Sequence, residues 1–153
     1  MFTVTFFYTI YSEDNNSVIL KEALECLPKV LNEIYSFDKT EYGFLQEDKI
    51  EDATLNDIFI IYTLKADKLN KYKKGDSIAV LIDDELKVRH SIVMCKTQPR
   101  AVVTIAKING RYEIVELRAL KEIEMMVYTL LKAYEKIKCF FLMCHNEIST
   151  YFI

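Results

Sequence analysis

The chain has no tryptophan and only three glycines, two prolines and two histidines in 153 residues. Gly43, Gly75 and Gly110 stand far apart. No glycine-rich loop therefore brings backbone amides against a phosphate, and Rossmann-type and P-loop nucleotide binding are excluded. No apolar run approaches the roughly 20 residues that cross a bilayer as a helix, so no membrane interaction is expected. The first eight residues are apolar but carry no basic leader and no small-residue cleavage site. They read as a strand rather than a signal peptide, and a cytoplasmic location is expected. The four cysteines, Cys26, Cys95, Cys139 and Cys144, lie in apolar segments rather than at framework spacings, as buried free thiols do in a reducing compartment. Zinc needs four Cys/His ligands in short paired spacings, and the nearest approach is Cys139, Cys144 and His145, where strand alternation turns the last two apart. Neither a metal nor a cofactor is expected.

What is present is the composition of a globular protein, 51% hydrophobic and 28% charged. Its length suits one domain over residues 1–153, able to bury roughly two thirds of its unfolded surface. The net charge of −3 is unevenly spread: residues 1–60 sum to −8 and residues 61–153 to +5. Such asymmetry marks either an interaction surface or a fold whose halves complement each other. The abundance of Ile, Lys, Asn and Tyr is what an AT-rich genome encodes, which suggests a viral or mobile-element origin.

Residues 2–11 alternate as a strand with one buried face. Leu20, Leu24, Leu27, Leu31 and Ile34 keep one apolar stripe, predicting a helix over 17–36 with a kink or break at Pro28. Residues 37–56 are acidic, contain Gly43 and lack periodicity; a loop of that length is expected to be mobile or functional. Ile58–Leu64 reads as a central strand covered on both sides. Ile78–Ile82 and Leu86–Val93 flank Asp83-Asp84-Glu85 as a hairpin would, with Leu86, Val88, His90 and Ile92 on the core face. Asn109-Gly110 is the strongest hairpin signal, because both central residues of a type I′ turn need positive φ. A two-residue loop there pairs Ile105 with Ile114 and Val103 with Glu116. Leu120 to Ile137 repeat at helical spacing, predicting a second helix over 118–137, and Cys139–Cys144 and Ile148–Ile153 follow as strands, the last at an edge. The expected fold is α+β, a mostly antiparallel sheet of about five to seven strands covered by these two helices.

No constellation commits the chain to a reaction, and no catalytic residue is assigned. His90 lies on an apolar strand face, where a satisfied core histidine is the ordinary occupant, and His145 sits in a turn beside Cys144. Asp83-Asp84-Glu85 offers hard oxygen ligands but is equally ordinary turn chemistry. The first expectation for function is a non-enzymatic binding or regulatory protein that works through protein contacts, as a homodimer or with another protein. Tyr42 and Phe44, in the acidic loop, are the expected anchors. The alternative is nucleic-acid binding through the lysine-rich segment 65–74, where Lys68, Lys71, Lys73 and Lys74 would neutralise phosphates and Tyr72 would stack a base. The same lysines also suit a solvated loop that keeps a sheet edge soluble. A small hydrolase using Cys144 or His145 ranks third.

Overall fold

The computed structural model describes residues 5–8, 13–56, 58–64, 66–69, 71, 73, 76, 80, 82–122, 124, 125, 128, 129, 139–144 and 147–152. In chain order it contains β1 (Thr5–Tyr8), α1 (Glu13–Tyr35), 3-10 turns at Lys39–Tyr42 and Ile50–Asp52, and β2 (Ala53–Leu55). These are followed by β3 (Phe59–Leu64), the short α2 (Ala66–Leu69), β4 (Ile82–Cys95), β5 (Gln98–Ile108), β6 (Arg111–Ala119), β7 (Cys139–Cys144) and β8 (Glu147–Phe152). The strands form one sheet in the order β6-β5-β4-β3-β1-β7-β8, with β2 joining β4 off this path. Every neighbouring pair is antiparallel. The architecture is α+β with one main helix.

Helix α1 runs unbroken through Pro28, which lies on its exposed side. Its buried stripe is Ile19, Ala23, Leu27, Leu31 and Ile34, packed on Val93 and Cys95 of β4, Ala101, Val103 and Ile105 of β5 and Leu117 of β6. The expected stripe is therefore right in its second half and turned in its first, where Leu24 faces out and Ala23 faces in.

The Asn-Gly hairpin forms as expected, with Asn109 at φ 50° and Gly110 at φ 89°. Ile105 pairs with Ile114, but Val103 pairs with Leu117 rather than Glu116. The register shifts by one between Thr104 and Ile105, a β-bulge that leaves Val115 unpaired and exposed. That one-residue slip puts Leu117 in the core and Glu116 on the opposite face. A second tight hairpin joins β4 to β5 through Lys96 and Thr97, with Lys96 in the left-handed region at φ 57°.

Asp83-Asp84-Glu85 is not a turn. It lies inside the 14-residue strand β4, whose first residues pair with the end of β3, Thr63 with Asp83 and Leu64 with Ile82. Strand pairing overrides the polar character of the triplet. Residues 77–79 and 81, where an earlier strand was expected, lie outside the described residues.

The β4 face toward α1 carries Ser91, Val93 and Cys95, the reverse of the expected assignment. His90, Ile92 and Met94 point the other way, yet they too are buried, together with Phe59 of β3 and Val102 of β5. The sheet is covered on both faces here, although Val88 on the same row is exposed. Of the expected helix 118–137, residues 118 and 119 belong to β6. A helical turn then starts beyond Lys121, where Glu124 Oε2 accepts the Lys121 backbone N–H at 2.7 Å, half of a capping box. Residues 130–137 lie outside the described residues, and a second main helix is not part of the described architecture. Among the described residues no helix is long and apolar enough to cross a membrane.

Candidate functional site

The acidic loop, expected to be mobile, is tied down at every turn. Asp38 caps the first 3-10 turn through the Thr40 N–H at 3.0 Å, and Gly43 closes it at φ 91°, backed against the Arg100 carbonyl. Lys39 Nζ donates to the carbonyls of Gln46 and Asp48, both at 2.8 Å, and lies 4.6 Å over the Tyr35 ring. Asp48 accepts the Leu45 N–H at 2.7 Å and pairs with Arg100 Nε at 2.8 Å, an ion pair largely withdrawn from water. Phe44 is 1% exposed and meets Tyr35 edge-on at 5.4 Å. Its ring belongs to the protein's own core, which corrects the expectation that it stands exposed for a partner. Tyr42 is half-buried against the same core, and the ring this loop does present to solvent is Phe37, at 79% exposure.

Beneath the loop, the Tyr35 hydroxyl is buried with no nitrogen or oxygen partner and faces the Cys95 thiol, at best a weak acceptor. Burial, reinforced by the nearby Cys95 thiol and the Asp48 carboxylate, pushes its pKa above the ordinary tyrosine value. Burial likewise raises the Cys95 thiol, with Asp48 adding and Arg100 opposing. A thiol raised in this way is a poor nucleophile.

On the other face, His90 is 6% exposed and stacks on Phe59 at 5.6 Å. Its Nδ1 lies 3.4 Å from Thr104 Oγ1, which donates to Glu116 at 2.8 Å, and Arg118 binds the buried Glu124 at 2.6 Å close by. The hydroxyl is committed to a carboxylate, so this row orders a sheet face rather than activating a nucleophile. His145 lies outside the described residues, and among those described no group of three His, Cys, Asp or Glu is placed to hold a metal ion.

Of the lysine segment, Lys68, Lys71 and Lys73 are exposed, while Tyr72 and Lys74 lie outside the described residues. The antiparallel register brings the ends of β3 (Leu64) and β5 (Ile108) and the start of β6 (Arg111) to the same end of the sheet as the start of β4 (Ile82). The lysine segment follows β3 at that end. Lys107 and Tyr112 stand directly opposite each other there, with Arg89 of β4 also over the Tyr112 ring. The Asn-Gly turn already implies the Lys107–Tyr112 pair by counting outward from the loop; Arg89 joins it only through the β4–β5 pairing.

The sheet's two outer strands differ. β6 carries Arg111, Glu113, Glu116 and Arg118 and is interrupted by the bulge. β8 reads Glu-Ile-Ser-Thr-Tyr-Phe and pairs with β7 over six consecutive positions with no register shift. No protein-family model, curated protein or solved structure matches the chain.

Proposed function

We propose that this is a non-enzymatic binding protein that works through protein contacts, assembling as a homodimer by pairing β8 with β8 of a second copy. The observation that carries this reading is the contrast between the two sheet edges. Charged side chains and a bulge are the devices that keep an edge from recruiting another strand, and β6 has both. β8 has one charge, at its first residue, no proline and no bulge. Among the described residues no strand pairs with the outer edge of β8, and a partner identical to itself satisfies that row of N–H and C=O groups on both copies at once, through a two-fold axis crossing the strand pair. The acidic loop, knitted into the core and offering Phe37 outward, is the further surface available to another protein.

Sedimentation at tens of micromolar tests the reading. Dimer is expected for the intact chain and monomer after deletion of residues 148–153. A strict monomer at that concentration, unchanged by the deletion, would refute it.

A further inference from the structure

β6 borders the sheet, and among the described residues no strand pairs with its outer side. Ile108 and Arg111 flank the two-residue Asn-Gly turn as a hydrogen-bonded pair, so the next residue, Tyr112, turns its N–H away from β5 and outward. An outward N–H on an edge strand is what a strand from another molecule takes up. Here a side chain already holds it, since Glu22 of α1 accepts the Tyr112 N–H at 2.7 Å through one carboxylate oxygen. Three residues further along the same helix face, Glu25 binds Arg111 at 2.7 Å, which seats α1 beside the first residues of β6.

The rest of the edge is covered or broken. At its far end Gly43 backs onto Ala119, where a Cβ on the glycine would come within 3.5 Å of the Ala119 Cα. Between the two ends lies the bulge, with Val115 48% exposed. Bulge and charges make β6 a poor template; the Glu22 hydrogen bond goes further and occupies the donor itself. An incoming strand offers a neutral carbonyl for that N–H, and a carboxylate is the stronger acceptor. Without Glu22 the part-buried donor is left unmet, and β6 of a second copy is the occupant that fits. Val115 stands at the centre of Arg111–Ala119, so two β6 strands related by a two-fold axis would meet antiparallel about it. We propose that Glu22 is a guard on the β6 edge, an autoinhibitory contact that keeps β6 from pairing with β6 of a second copy and leaves β8 as the strand-pairing edge. How large the parent is rests on the β8 reading; the growth on losing Glu22 does not. A chain with two open edges, each served by its own two-fold axis, does not stop at a dimer and grows end to end.

Sedimentation of the full chain at tens of micromolar tests the guard, with circular dichroism verifying that each variant folds. Alanine is the stronger helix former, so Glu22→Ala keeps α1. It should sediment at twice the parent's mass or more, rising with concentration. Glu22→Gln retains an oxygen that accepts the Tyr112 N–H and should match the parent. Val115→Lys added to Glu22→Ala sets like charges against each other at the centre of the new pair and should restore the parent's size. A monomeric parent would refute the β8 reading alone, and Glu22→Ala should then stop at a dimer. A folded Glu22→Ala of the parent's size would overturn the guard, as would assembly that Glu22→Gln shows equally or that Val115→Lys leaves in place. Hydrogen exchange on the parent gives a readout that needs no variant: the Tyr112 N–H should exchange slowly for an edge position, and exchange as fast as that of an unprotected amide would overturn the proposal as well.

Discussion

His90 is held in the sheet, and burial is the largest cause that keeps its imidazole below the ordinary value of 6.5. Arg118 pushes in the same direction, while the carboxylates of Glu124 and Glu116 and a backbone hydrogen bond oppose. A lowered histidine pKa fixes the sign of the linkage: the unfolded chain takes up the proton first, so His90 favours folding above 6.5 and loses that contribution as pH falls through the folded value. Urea midpoints should decline on acidification from neutrality, and His90→Leu should fold at least as well at pH 7 and lose part of the decline. An NMR titration placing His90 above 6.5 would contradict this. Tyr35 supplies a second case. Its hydroxyl is buried with only the Cys95 thiol, a weak partner, to face, and a poorly paired buried polar group costs about 1–3 kcal/mol. Tyr35→Phe keeps the edge-on contact with Phe44 and removes that hydroxyl, so the variant should be as stable as the parent or more so by roughly 1 kcal/mol in denaturant titration.

The element that departs most from its sequence is the acidic segment 37–56. Length, charge and lack of periodicity mark it as mobile, yet each anchor is a side-chain bond to a backbone group or a distant partner, which periodicity does not register. Gly43 is the tightest point. At φ 91° a side chain already strains the backbone, and a Cβ would run into the Arg100 carbonyl oxygen, which belongs to β5 and has no freedom to retreat. Gly43→Ala should therefore destabilise by more than about 1–2 kcal/mol, read as a fall in urea midpoint with unchanged m value. Gly110, with φ 89° but open space around it, should cost less on the same substitution.

At the scale of the molecule, three of the ion pairs, Arg111–Glu25, Arg100–Asp48 and Lys96–Asp52, join residues 61–153 to residues 1–60. The charge asymmetry is in that measure internal complementarity. The dimer proposal has a consequence at this scale too. In a two-fold antiparallel pair a residue near the middle of β8 meets its own neighbourhood in the second copy, and like charges placed opposite each other repel. Thr150→Lys and Thr150→Glu should each sediment as monomers, and an equimolar mixture should restore the dimer. A mixture that stays monomeric while both variants remain folded would count against β8 as the interface.

Helix α1, strand β3, the Asn-Gly hairpin and the terminal pair β7 and β8 were legible from the chain because each depends on local periodicity or on a turn that only certain residues adopt. So was the burial of His90, since its neighbours along the strand are apolar. Which face of β4 meets α1, the one-residue slip at Val115, the absorption of Asp83-Asp84-Glu85 into a strand and the burial of Phe44 were not. Each of these is fixed by a partner distant in sequence: α1 chooses the face, β5 tolerates the bulge, β3 extends β4, and the core claims the ring. Local pattern determines that an element forms and how wide its apolar face is. Tertiary packing decides which way that face turns, because burying apolar area against a distant surface outweighs the few tenths of a kcal/mol by which one local conformation is preferred to another.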